Sequence, residues 1–487
     1  MKSTLKIGAF LLALFLLIPG VAGCGSPSIS AEDTTAVMDP VIETEPVTEA
    51  ETEYLDVLET KDMDGYAYRI VAQHTEDRPN FPLSDEMTGE VVNDAVHSRD
   101  EALKARLNIT LSPISYTDRG VLKSEVARTI LAQDDAYDLI MTAFSDGINT
   151  LVTQNLLEDL TTIPYITLDS VYWNKSIAEN MRFNGKQFFT SGASSVSYLY
   201  SSTHMLVNRT MAEGLQLPDM QALAFEGKWT VDTLASMMTN AASDLNGDGK
   251  MVMEDDRYAA ILGHTLGNEM YMAAGLHAVS CDENGNWILN IGDEDSMNFI
   301  QKCASLFSDT SRMLNFASTS EPHYRVFTEG RSLFIDSTVR NTIYFVRGME
   351  EDYGVLPIPV LNEGDPYLTE CNTWLPSGIA VPVTATNPER LGLIMETMAV
   401  YSYEHLVPAV AEKALGKVSN TSSDYQILTM TFDNCSFELN TIMDFAGTSV
   451  SLRGACFGTP SNFASYWAKV KTKAQQALDD FISSVHQ

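Results

Sequence analysis

The chain has 487 residues, with 31 Lys and Arg against 65 Asp and Glu and a formal net charge of −34. That length exceeds one ordinary hydrophobic core and predicts two lobes or domains, while 45% hydrophobic and 20% charged residues describe a folded body. The acid surplus excludes nucleic-acid binding through the phosphate backbone and adhesion to anionic lipid through a basic patch, because both need clustered Lys and Arg.

At the N-terminus, Lys2 and Lys6 lead into an apolar run over 7–18, which Pro19-Gly20 breaks just before Val21-Ala22-Gly23-Cys24. A membrane-spanning helix needs about 20 apolar residues. This shorter run ends in small residues, so 1–23 reads as a secretory signal. The 21–24 stretch resembles the lipobox of bacterial lipoproteins, which makes Cys24 the expected lipidation site and anchor to the cell membrane. Residues 24–63 are the expected tether: eleven acids and one base fall between 25 and 62, with almost no aromatic residue. Such a stretch cannot bury a core. Its carboxylates repel one another, and a flexible coil of that length spans roughly 35 Å.

The body alternates strand and helix patterns. A β-branched and aromatic run over 66–71 predicts a first strand, 91–107 a helix, and 108–111 the start of a second strand. The near-continuous apolar run over 137–142 predicts a strand covered on both faces, as in a parallel sheet. It feeds the loop at 144–147, on the sheet edge where α/β folds bind ligands. Further strands are expected over 204–209, 332–335 and 378–381, and a hairpin over 281–291. Thr230 after Trp229 is a helix N-cap. The last hundred residues are mostly helical, and the class is α/β.

Five cysteines follow Cys24, an odd number with no CxxC spacing. This is a poor disulfide framework and a poor zinc site. Cys303 shares a helical apolar face with Met297, Ile300 and Phe307 and is expected in the core; the one bridge considered is Cys435–Cys456. Asp244-Leu245-Asn246-Gly247-Asp248-Gly249-Lys250 matches the opening of a calcium loop. Asp244, Asn246 and Asp248 occupy positions 1, 3 and 5, and Lys250 supplies a backbone carbonyl at position 7. Position 12 is Asp255, with Asp256 beside it. Val252 at position 9 offers no side-chain oxygen, and Asp replaces the usual Glu at 12. The expected cofactor is therefore calcium in a structural role. The sequence contains no G-x-S-x-G, P-loop or H-E-x-x-H motif, so no catalytic residue is assigned.

Several stretches resemble the extracellular solute-binding proteins of family 1, the sugar-type receptors of ABC importers. They are Tyr137-Asp138-Leu139-Ile140, Leu156-Leu157-Glu158-Asp159-Leu160-Thr161 with Ile163-Pro164, Val207-Asn208-Arg209, Trp229-Thr230, Phe327-Thr328-Glu329-Gly330-Arg331, the 353–359 segment and Ala380-Val381-Pro382. The 402–408 stretch and the calcium-type loop resemble one lipoprotein branch of that family. The likeness runs over roughly 64–440. It implies a two-lobed, periplasmic-binding-protein-like α/β fold closing on ligand about hinge crossovers, which are expected near 190–203, 322–331 and 362–376. Lobe 1 is then expected over 64–195, completed by 326–365, and lobe 2 over 196–325, completed by 366–487. The implied function is capture of a solute, a mono- or oligosaccharide, in the interlobe cleft and its delivery to ABC permease subunits. The alternatives are a surface-anchored, calcium-stabilised carbohydrate-active enzyme and a sensory solute receptor. Sugars stack their C–H faces on aromatic rings, so Trp374 and Trp173 are the first candidate ligand contacts, with Tyr198 and Tyr200 at the first crossover. Asp146 and Asp336, after strand ends, are candidate acceptors for hydroxyl groups. Trp229 is assigned to structure.

Overall fold

The computed structural model describes residue 55 and residues 58–485, apart from 76–77, 79–85, 284, 318–319, 376–377 and 416–420. Everything described belongs to one unit, Thr48–Gln487. The expected signal, Cys24 and most of the tether lie outside the described residues. Among the described residues no helix is long and apolar enough to cross a membrane.

In chain order, β1 (Tyr66–Gln73), β2 (Ile109–Tyr116) and β3 (Leu139–Thr142) come first. After a crossover follow β4 (Thr203–Asn208), β5 (Tyr258–Gly263), the hairpin of β6 (Val279–Cys281) and β7 (Trp287–Leu289), then β8 (Met313–Phe316), β9 (Ser332–Thr338) and β10 (Tyr353–Leu356). Last come β11 (Thr369–Glu370), β12 (Gly378–Ala380) and β13 (Cys435–Ser436). Two sheets result. The first has the order β12-β3-β1-β2 and the second β10-β4-β9-β5-β8. In the first, β1 runs parallel to β2 and β3, and β12 is antiparallel to β3. In the second, β5 is parallel to β8 and β9, and β4 is antiparallel to β9 and β10.

Local chemistry accounts for the elements. All four residues of β3 are buried, as its unbroken apolar pattern requires for a central parallel strand. The Val91–Leu107 helix starts where the Glu90 carboxylate accepts the Asn93 N–H, and it stops at Asn108, which takes the left-handed conformation with φ 47°. Asn tolerates that region better than a branched residue would. The Val91–Leu107 helix packs against Pro388–Leu415, so the first lobe borrows a helix from late in the chain. Trp229 is fully buried, its Nε1 donating to the Pro357 carbonyl at 2.9 Å, in keeping with a structural role. The helical C-terminal region is present as Pro388–Leu415, Ser422–Asp433, Leu439–Met443, Thr448–Ala455 and Phe463–Val485.

The pairings correct the expected lobe boundaries. Strands β9 and β10 belong to the second sheet, so 326–365 completes lobe 2 and not lobe 1. Strand β12 joins the first sheet, so the segment from 378 returns to lobe 1. The 322–331 stretch is not a crossover: the Glu321–Thr328 helix runs straight into β9 inside the second lobe. The chain passes from the first sheet to the second between 201 and 203, returns between β10 and β12, and crosses again after Pro388–Leu415. Ser422–Asp433 then packs against β10. A strand pattern reports that a segment pairs, but it does not report with which sheet.

Candidate ligand-binding cleft

The cleft is built where the strands of both sheets end. β3 runs into the Phe144–Ile148 turn, which bends at Asp146 with φ 57°. β5 runs into the Thr265–Ala273 helix. Between them passes the returning crossover. Its β11 pairs in parallel with β13, and a disulfide joins Cys371 to Cys435, with Cα atoms 5.8 Å apart. The hinge is thereby tied across a sequence separation of 64 residues.

Polar side chains from these elements meet around one cavity. Thr265, Asn268 and Glu269 come from the second lobe, Glu370 and residues 371–374 from the crossover, and Thr441 and Arg453 from the C-terminal helices. A chain of hydrogen bonds links the parts. Ser145 Oγ donates to Thr373 Oγ1 at 2.8 Å, and the Ser145 N–H donates to the Thr373 carbonyl at 3.1 Å. Asn268 Nδ2 donates to Ser449 Oγ at 3.0 Å. The cavity is about 30 Å³, room for one or two waters. A ligand of sugar size is larger than this cavity.

The electrostatics are unusual for an interior. Glu370 is 4% exposed, and its Oε1 has no hydrogen-bond partner; the same holds for the buried Oδ1 of Asn268. Burial, reinforced by Glu438 and opposed by a Thr441 hydrogen bond and by Arg453, pushes the Glu370 carboxyl up to about 8. Burial, with Asp336 and Glu370 nearby, holds Glu269 well above the ordinary carboxylate range against the pull of Arg453. On the first-lobe rim, Asp146 pairs with Lys123, and with Arg119 Nε at 3.6 Å; the Lys123 hydrogen bond leads in holding its carboxyl low. Arg119 lies over the Trp374 ring at 5.0 Å, and its Nη1 donates to the Trp374 carbonyl at 3.4 Å.

No protein-family model matches the chain, and no curated protein is similar to it in sequence. Solved structures are similar in fold. UspC of M. tuberculosis superposes with a TM-score of 0.55 at 11% identity, over 84% of this chain and 100% of that one. A sugar transporter protein of Rhizobium etli in an open conformation gives 0.54 at 13%, over 87% and 99%. The galacto-N-biose/lacto-N-biose I-binding protein of the ABC transporter from Bifidobacterium longum, in complex with lacto-N-biose, gives 0.51 at 13%, over 87% and 99%. The chain has the two-lobed fold of ABC-transporter solute-binding proteins.

Within that solute-binding fold the candidate residues separate. Trp374 is 49% exposed on the cavity rim, and Asp146 is exposed on the neighbouring turn. Trp173 is corrected to a core residue: it is buried, and its Nε1 donates to Glu396 Oε2 at 2.8 Å. Tyr198 and Tyr200 are also corrected. Both are buried in the helix that leads into the first crossover, and the Tyr198 hydroxyl accepts a bond from Asn174 Nδ2 at 3.2 Å, so they pack the hinge. Asp336 is 5% exposed and accepts the Gly263 N–H at 2.6 Å, tying β9 to β5 behind the cavity. A larger groove of about 490 Å³ borders Trp173, Tyr198 and Tyr403, but it touches neither the β3 turn nor the helix after β5.

The sequence reading missed Asn268, Glu269, Glu370, Thr441 and Arg453. One signal was present: Asn268-Glu269 interrupts the otherwise apolar run from Leu266 to Ala273. The Cys435–Cys456 bridge is corrected as well. Cys435 bonds Cys371, while Cys456 and Cys303 are buried free thiols.

The calcium-type loop forms a tight turn. Asp244 accepts the N–H groups of Gly247 and Gly249, each at 2.7 Å, and Asn246 and Asp248 accept those of Asp248 and Lys250. Asp255 is exposed; Asp256 is the buried carboxylate, accepting the N–H of Leu245 at 2.9 Å and of Val252 at 2.7 Å. Asp256, beside the expected Asp255, is thus the acid whose hydrogen bonds hold the turn. Among the described residues no three His, Cys, Asp or Glu side chains converge as a metal site.

Proposed function

We propose that this chain is an extracytoplasmic solute receptor, lipid-anchored through Cys24, that captures a mono- or oligosaccharide in its interlobe cleft and delivers it to ABC permease subunits. The observation that carries this reading is the polar cavity between the second lobe, the returning crossover and the C-terminal helices, with the Trp374 ring on its rim. A polyol needs several hydrogen-bonding groups plus an aromatic face, and a hinge that can enclose it. The fold is that of a protein solved with lacto-N-biose, which supports a saccharide as the ligand class. Thermal unfolding of the full chain against a saccharide panel tests the reading. A binder of the folded state alone raises stability by about 2.7 kcal/mol at a hundredfold excess over its Kd. A sugar-selective rise without sugar breakdown is expected; breakdown products would instead establish the enzyme.

Calcium belongs to the same proposal. Asp244, Asn246, Asp248 and the Lys250 carbonyl would supply the oxygens that this hard cation takes, and calcium there would brace the turn. Calcium is expected to raise the unfolding midpoint of the full chain and a chelator to reverse the rise. Asp244→Ala is expected to abolish the response. A midpoint indifferent to calcium removes the ion from the account.

A further inference from the structure

The cleft contains more acid than a neutral polyol requires. Glu269 and Glu370 line the same cavity, both buried, and the Glu370 Oε1 has no hydrogen-bond partner. Asp336 lies close enough to act on Glu269, and Glu438 on Glu370. Against these four carboxyls the nearby cations are Arg453, which forms no ion pair among the described residues, and His277, which faces Glu438 at 3.4 Å. His264 lies near Arg453, which with burial disfavours its charged form. Asn268 adds a second, independent demand: its buried Oδ1 borders the cavity without a donor.

Buried carboxylates need a proton, a cation or strong hydrogen-bond donors. A metal ion is disfavoured because no three His, Cys, Asp or Glu side chains converge among the described residues. A small anion is repelled by the surplus. An organic ammonium fits: it brings positive charge and several N–H donors to Glu269, Glu370 and the Asn268 oxygen, while Arg453 is left to donate to ligand oxygens.

Resting on the saccharide reading above, we propose that the solute carries a free amino group, as in an amino sugar or a short oligosaccharide containing one, and that Glu269 and Glu370 receive its ammonium. In the absence of ligand the two carboxyls satisfy themselves with protons, in line with the direction in which burial drives them. The ligand enters as the ammonium and displaces a proton from the carboxyl pair to the buffer. No covalent bond changes.

The test is calorimetry of the full chain at pH 7 with glucosamine and its β-1,4 disaccharide, set against glucose, N-acetylglucosamine and an aliphatic diamine. The expected result is that the amine forms bind at least about tenfold more tightly than the N-acetyl and neutral forms. Binding heats should also change with buffer ionisation enthalpy, as proton release requires, and affinity should fall as pH is lowered. Glu370→Gln and Glu269→Gln should each remove most of the preference for the amine; the comparison among sugars on the wild-type chain needs no variant. Neutral sugars binding as well as or better than amines overturn the amine inference and leave the saccharide reading intact. The diamine binding while all sugars fail supports the ammonium site and overturns the saccharide reading. Failure of every amine to bind overturns the inference.

Discussion

Reduction of the Cys371–Cys435 bond is expected to cost about 4 kcal/mol of folding stability. The bond closes a loop with a sequence separation of 64 residues, and the entropy removed from the unfolded chain grows with the logarithm of loop length. A loss of that size is a large share of the 5–15 kcal/mol typical of a whole domain. Its position makes the consequence local as well. The bond pins the β11–β13 ladder, which carries Glu370 into the cavity and precedes Trp374. A Cys371→Ser/Cys435→Ser chain should therefore unfold at a lower denaturant midpoint and bind ligand more weakly. Cys303 and Cys456 are buried free thiols, so mild reductant should reproduce the effect of the double substitution without further loss. An unchanged midpoint in both experiments contradicts a stabilising role for the bond.

The second expectation concerns pH. In the folded chain Glu370 is pushed up to about 8, chiefly by burial, from an ordinary value of 4.5. Below 4.5 both folded and unfolded chains hold the proton, and Glu370 makes no difference to stability. Between 4.5 and 8 the unfolded chain gives up the proton while the folded chain keeps it, so stability falls as pH rises. Above 8 both are ionised and the dependence levels off. The full penalty is on the order of 5 kcal/mol. Glu370→Gln never ionises. Its unfolding midpoint should be close to wild type at pH 5 and clearly higher at pH 8. Glu269 is shifted in the same direction, so the difference between the two chains, and not the wild-type profile alone, isolates Glu370. Parallel profiles contradict the buried state of this carboxyl.

Much of the fold was legible because the decisive signals were local. The apolar 137–142 run marks a buried central strand, and the 282–285 turn marks the β6–β7 hairpin. Assignment of strands to sheets was not local. β10 sits beside β4 partly because Asp424 accepts the Val355 N–H at 2.9 Å and pairs with Arg209 at 2.8 Å, joining three distant parts of the chain. No window of sequence contains that. The same limit applied to the tryptophans. Trp173 and Trp374 both sit in polar loops, and the partners that hold the Trp173 indole in the core include the Glu396 carboxylate, more than two hundred residues away. The acids of the cavity were hidden by number: Glu269 and Glu370 are two of 65 acidic residues, and their place on the cavity wall depends on the fold.

The central claim is that a saccharide binds in the cavity beside Trp374. Its most direct test is calorimetric titration of the full chain and of Trp374→Ala with the saccharide that most raises the unfolding midpoint. The ring is half exposed on the rim and held by Arg119, so its loss should leave the fold intact and remove the stacking face. Affinity should fall by about tenfold or more, with an unchanged midpoint in the absence of ligand. Equal affinity in the two chains would place the saccharide elsewhere and contradict the account.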